Sequence, residues 1–368
     1  MMPEKNNSKN KKTVLFDSHI SLNAKMVSYA GYEMPISYPK GIQSEYFSIR
    51  NDIGMFDVSH MGELKVTGKN ALTFLQKVTI NDVKALEVGQ AQYSAMCNDD
   101  GGIIDDLILY RMKDGYLMVI NAANINKDFD WLKQHVCDGM ELENISEDIS
   151  LIAIQGPNTR EFLKKYTDVD LTMPFYTFRE GHVCESSVMV SRTGYTGELG
   201  FEIYGNSKAI RLIWNTFIDL GIYPAGLAAR DILRMEMKYC LYGNDINEKS
   251  NPLEAGLGWI TALGKKSFIG SEKLGFHKMN GLKKKLIAFK MNERGIPRPG
   301  YEIYINNDKI GNVTSGNHSP LLKIGIGLAY VDIPYDKSGQ EISIKVRNKL
   351  LNAVVIQSPF LSKTSLYE

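Results

Sequence analysis

From about Lys283 onward the chain reads as strands and turns alone, whereas between about Thr13 and Gly270 short strands alternate with amphipathic helices. This change of pattern sets the main domain boundary. Beyond it, apolar runs at 286–289, 301–305, 326–331, 342–346 and 353–356 are separated by turn-rich sequence such as Asn306-Asn307-Asp308. Such spacing predicts a small β-barrel or sandwich over 280–362. A length of 368 residues leaves room for two or three packed domains in all.

Within the mixed region, 107–112 and 116–120 are apolar runs joined by Lys113-Asp114-Gly115, a hairpin signal. Ile125, Phe129, Leu132 and Val136 then fall on one helical face, with Asn124 as the expected cap. Ile210, Ile213, Trp214, Phe217 and Leu220 repeat the pattern after Ser207. The fold class is therefore α+β.

Composition excludes several function classes. Apolar residues make up 43% and charged residues 23%, with a net charge of +1, so no global field exists to hold nucleic acid or an anionic membrane. Cys97, Cys137, Cys184 and Cys240 form no CxxC pair, and the six histidines show no HExxH spacing, so no metal is expected. Residues 1–12 carry Lys5, Lys9, Lys11 and Lys12 without an apolar run; a frayed basic tail on a cytoplasmic protein is expected. No run approaches the roughly 18 apolar residues of a membrane span.

Four stretches carry more than packing requires. In the first, Gly101-Gly102 precedes Ile103-Ile104-Asp105-Asp106, and on a strand the adjacent carboxylates point to opposite faces. One of them facing inward beside a glycine turn open to a ligand would be a proton manager; a solvated acidic turn is the plainer alternative. In the second, Gly194, Gly197 and Gly200 interrupt a strand that would present Tyr195 and Glu202 to a cavity, with a plain tight turn as the competing reading. In the third, Arg230 and Arg234 lie one turn apart on a helix, positioned either to clamp an anionic ligand or to pair with nearby acids. The fourth runs from Gly54 through Met55 and His60 to Glu63; without a nucleophile signature, His60 is expected to be a hydrogen-bonded structural residue.

Taken in order, 54–63, Tyr93-Ser94-Ala95-Met96 leading into 101–107, 193–202, 226–230, Leu241-Tyr242-Gly243-Asn244-Asp245 and Thr314-Ser315-Gly316 resemble the aminomethyltransferase, or T-protein, family of the glycine cleavage system. The resemblance implies a three-domain cloverleaf around a central folate cavity, with two α+β lobes in 13–270, one inserted at roughly 52–145, and a C-terminal β-barrel. It implies tetrahydrofolate as co-substrate and the lipoylated H-protein as partner. The aminomethyl carbon on the carrier's dihydrolipoyl arm would be transferred with release of ammonia and formation of 5,10-methylenetetrahydrofolate, a step of glycine catabolism. By the same resemblance Asp106 is the catalytic carboxylate, Glu202 and Arg230 bind the pterin, and Tyr93, Tyr195, Asn121 and Met55 line the cavity. Asp105→Asn should then be mild.

Two other readings share these features. A tetrahydrofolate-dependent demethylase of a small methylated donor could keep Glu202 and Arg230 while changing the cavity mouth. A folate-binding assembly factor for iron-sulfur proteins would carry a Lys-Gly-Cys-Tyr-x-Gly-Gln type block, where this chain has Ala225-Gly226-Leu227-Ala228-Ala229-Arg230.

Overall fold

Alternation along Ser150–Gln155, a strand buried throughout, divides the core of the first lobe into two layers. The computed structural model describes residues 10–368. Ile152 and Ile154 face one layer, where Trp214 and Phe217 of helix Ser207–Asp219 are fully buried. Leu151 and Ala153 face the other, which continues into the second lobe. The sheet holding this strand has six members, in the order Phe178–Val183, Ser186–Ser191, Gly200–Gly205, Ser150–Gln155, Gly54–Asp57 and Tyr223–Pro224.

The second lobe is a five-stranded antiparallel sheet in the order Ala91–Cys97, Ile103–Met112, Gly115–Ile120, Gly62–Thr67 and Glu141–Asn144. Helices Ala71–Val78 and Ile125–Lys133 contribute to its outer core through Phe74, Leu75 and Leu132. Gly54–Asp57, which the sequence reading counts with this lobe, pairs instead with Ser150–Gln155 in the six-stranded sheet. The hairpin turns at Gly115, whose φ of 136° suits glycine.

The third lobe is a closed barrel in the order Lys284–Met291, Ile324–Asp332, Asp308–Ser319, Glu302–Ile305, Glu341–Val346 and Lys349–Ile356, the last strand pairing back to the first. Closure removes the unpaired edges that short strands would otherwise expose.

Helix Leu227–Glu236 joins the lobes. Glu236, fully buried, takes hydrogen bonds from Tyr46 at 2.9 Å, from Arg50 at 2.6 Å and from Ser319 of the barrel. Arg234 bonds Asp245 at 2.6 Å, Asp231 at 2.8 Å and Ser315 at 2.8 Å. Truncating one partner of such a buried ion pair strands the other charge, at a cost of about 3–5 kcal/mol.

Two local expectations change. Lys11–Lys12 form a short strand parallel to Tyr32–Ser37, so only 1–9 of the expected tail lies outside the described residues. Asn124 opens helix Ile125–Lys133 without a side-chain cap bond, and Val136 lies beyond its end, exposed. Asn206 caps the later helix, its side chain accepting from the Ala209 N–H at 2.9 Å. Among the described residues no helix is long and apolar enough to cross a membrane.

Candidate functional site

A cavity of about 720 Å³ opens where the three lobes meet. The second lobe supplies Tyr93, Asp106 and Asn121, the first supplies Thr193, Tyr195 and Glu202, and the joining helix supplies Arg230.

Asp106 reaches the cavity because it alternates with Asp105 along Ile103–Met112. Its Oδ2 accepts the Tyr93 hydroxyl at 2.9 Å and its Oδ1 accepts Asn121 Nδ2 at 2.8 Å. Burial and the neighbouring Asp105 carboxyl push its pKa up to about 7, against the opposing pull of those two hydrogen bonds. A carboxyl poised there exchanges protons readily near neutral pH.

Asp105 is turned away and fully buried. The glycine turn ahead of the pair does not admit a ligand to the backbone. A Cβ on Gly102 would lie 1.8 Å from the Glu248 carbonyl oxygen, so the chain's own loop occupies that approach.

Across the cavity, Glu202 Oε2 accepts the Thr193 hydroxyl at 2.6 Å. Burial raises its pKa, partly offset by the Thr193 bond and the Arg230 charge. Arg230 lies 4.7 Å over the Tyr195 ring, and its buried Nη1 has no hydrogen-bond partner among the described residues. A buried guanidinium donor left unpaired by the protein is suited to an acceptor on a bound molecule. Arg234, one turn on, has its donors committed to Asp231, Asp245, Ser315 and the Tyr239 carbonyl. Of the two arginines, only the first is available to a ligand.

The glycines of the second motif have a local cause. A Cβ at Gly194 or Gly200 would lie 2.1 Å or 2.4 Å from the side chain of the buried Gln155, whose amide bonds the Thr193 carbonyl and the Thr196 hydroxyl. This packing holds the loop between Ser186–Ser191 and Gly200–Gly205, and both Tyr195 and Glu202 line the cavity. Tyr195 also stacks on Tyr239 at 5.7 Å and bonds the Cys240 carbonyl.

Two expectations are corrected. Met55 does not line the cavity: Phe56 and Val58 face that side, and alternation sends Met55 into the opposite layer with Trp214 and Phe217, fully buried. His60 is a wall residue rather than a hydrogen-bonded structural one. Its buried Nδ1 has no partner among the described residues, and burial pushes the imidazole down to about 4 against the Asp57 charge.

Sequence reasoning missed Trp259, which lines the cavity while 68% exposed and lies 6.0 Å from the Tyr93 ring. The available signal was a lone tryptophan in a glycine-bounded loop. Asp245 and Thr314 clamp the joining helix to the barrel, since Asp245 receives both Arg234 and Thr314, while Leu241 and Tyr242 line the cavity. Among the described residues no three His, Cys, Asp or Glu side chains gather as a metal set.

Residues 15–265 match the GCVT N-terminal domain and 284–361 match the glycine cleavage T-protein C-terminal barrel domain. The chain is 50% identical to an aminomethyltransferase of Phocaeicola vulgatus and 48% identical to one of Halothermothrix orenii, over 95% of its own length and 99% and 100% of theirs. Its backbone superimposes on the crystal structure of glycine cleavage system aminomethyltransferase T from Bartonella henselae with a TM-score of 0.91, at 31% identity, covering 96% of this chain and 99% of that one. With both domains matched in order, the chain belongs to the glycine cleavage T-protein family, GCVT.

Proposed function

We infer that the chain is the aminomethyltransferase of a glycine cleavage system, transferring the aminomethyl carbon from the dihydrolipoyl arm of the H-protein to tetrahydrofolate. Ammonia leaves and 5,10-methylenetetrahydrofolate forms. The observation that carries the residue assignment is the opposition of Asp106, held by Tyr93 and Asn121, to the unpaired Arg230 donor beside Glu202.

The donor set fits a pterin. Glu202 offers an acceptor and Arg230 a donor, while Val58, Leu107 and Leu151 supply apolar wall for a flat ring. Tetrahydrofolate supplies the nitrogen that takes up the carbon. Asp106 orients that amine and relays its proton; Tyr93 and Asn121 fix the carboxylate; His60, neutral at physiological pH, adds no competing charge. A carbon already bound to both nitrogen and sulfur is activated, so positioning and proton control suffice without a covalent nucleophile. Trp259, exposed and lining the cavity, offers an aromatic surface to a long carrier arm. We place the enzyme in the cytoplasm, consistent with the four cysteines being unbridged.

The reading is tested by titrating tetrahydrofolate into the wild-type protein and into Glu202→Gln. We expect one site per chain for the wild type, and binding weakened about tenfold or more in the variant. Equal affinity would remove Glu202 from the site.

A further inference from the structure

Behind Asp106 lies a second pair of carboxyl groups that the transfer chemistry does not touch. Asp105 Oδ1 accepts Asn121 Nδ2 at 2.8 Å and Asn124 Nδ2 at 2.7 Å, and its Oδ2 accepts the Asn121 backbone N–H at 3.1 Å. Asn124, which makes no side-chain cap bond, gives its Nδ2 to Asp105 instead. Asp128, in the first turn of helix Ile125–Lys133, is fully buried as well. Neither of its oxygens has a hydrogen-bond donor among the described residues. Lys127 Nζ stays 3.8 Å away, bonding the Ile104 carbonyl and the Tyr242 hydroxyl instead. The group within bonding reach of Asp128 is the Asp105 carboxyl, and two carboxyl groups bond each other only with a proton between them.

We propose that Asp128 and Asp105 are positioning residues for the transfer: joined to each other, they hold Asn121, and Asn121 in turn holds the Asp106 carboxyl at the cavity. The inference rests on the reading of Asp106 given above.

The Asn121 Nδ2 is shared between the two neighbouring aspartates, 2.8 Å from Asp105 Oδ1 and 2.8 Å from Asp106 Oδ1. Its orientation, and with it that of Asp106, depends on Asp105 remaining an acceptor. Asp105 accepts three N–H donors and Asp128 none, so Asp128 is the member that keeps the proton and donates it to Asp105; its burial raises its pKa in the same direction. Lys127, Tyr242 and Glu248 surround this pair, while Tyr93, Tyr195 and Cys240 face Asp106. Lys127 favours ionisation of Asp128, and the Asp105 charge outweighs it.

The test compares Asp128→Asn, which keeps a donor toward Asp105, with Asp128→Leu, which fills the volume without one. Turnover is measured with aminomethylated carrier and tetrahydrofolate, alongside tetrahydrofolate affinity and exchange protection of the Asn121 side-chain amide, assigned by its loss in Asn121→Ser. We expect Asp128→Asn to keep kcat within about threefold with the amide protected, and Asp128→Leu to lose kcat by about 10- to 100-fold at unchanged tetrahydrofolate Kd, with protection lost. Asp128→Leu matching the wild type in kcat and protection overturns the proposal, as does Asp128→Asn failing as badly as Asp128→Leu. Wild-type protein that binds tetrahydrofolate but ignores the carrier contradicts the functional reading instead. The amide then decides alone: protection kept in Asp128→Asn and lost in Asp128→Leu supports the relay, and any other pattern overturns it. If Asp128→Leu does not fold, protection in Asp128→Asn decides, kept in support and lost against.

Discussion

Tyr93 donates its phenolic hydroxyl to Asp106 Oδ2 across 2.9 Å, from a strand antiparallel to the one that carries the carboxylate. Because this bond favours the ionised form, it restrains a pKa that burial drives upward. Tyr93→Phe should move the acid limb of the kcat profile to higher pH by about one unit, the worth of one charge-assisted hydrogen bond. A pH profile of turnover checks this; an unmoved limb would separate Tyr93 from Asp106.

Asp106→Asn should abolish most turnover while leaving tetrahydrofolate affinity within a few-fold. It should also stabilise the fold above neutral pH. The folded pKa is raised to about 7, above the ordinary carboxylate value, so ionisation opposes folding. The penalty is absent below the unfolded pKa, grows as pH rises toward 7, and is full above it. Thermal melts at pH 5 and pH 8 should therefore show the variant's advantage widening with pH, by a few kcal/mol at most.

Asp105→Asn is not the mild change that the sequence suggests. An amide there would turn a donor toward the Asn121 N–H or the two asparagine amides that Asp105 now accepts, leaving one buried donor unmatched. The expected loss of stability is about 1–3 kcal/mol by denaturant titration. A stability equal to that of the wild type would contradict the geometry.

Arg230→Ala removes a cation whose Nη1 has no partner in the protein. Tetrahydrofolate should bind about 10- to 100-fold more weakly, while the melting temperature holds or rises. Calorimetric titration with a parallel melt distinguishes this from a structural arginine, which would lose both.

Met55→Ala should do the reverse. It opens the fully buried layer beneath Trp214 and Phe217, costing about 2–5 kcal/mol, with tetrahydrofolate affinity unchanged in the folded protein.

How far the sequence could be read depended on how local each signal was. The barrel was legible because its strands alternate with turn residues at close spacing, and the Asp105-Asp106 pair because strand geometry separates neighbours. Met55 was assigned to the cavity by the resemblance alone, and because all four residues of Gly54–Asp57 are buried, no polar alternation was there to correct it. Which aspartate faces the cavity depends on register, and the strand pair shifts register between Met96 and Cys97, something no pattern announces. Gln155 and Asp128 act on residues 38 and 23 positions away, through contacts that exist only once the sheets are assembled. The resemblance supplied the family; the unpaired donor on Arg230 became visible only in the structure.

The central claim is carrier-dependent transfer to folate. The most direct measurement is ammonia release together with methylenetetrahydrofolate formation by the purified protein, given aminomethylated lipoyl carrier with and without tetrahydrofolate. Equal amounts of both products, with turnover strongly stimulated by tetrahydrofolate and lost in Asp106→Asn, are predicted. Tight tetrahydrofolate binding with no carrier-dependent turnover would contradict the account and point to a small methylated donor instead.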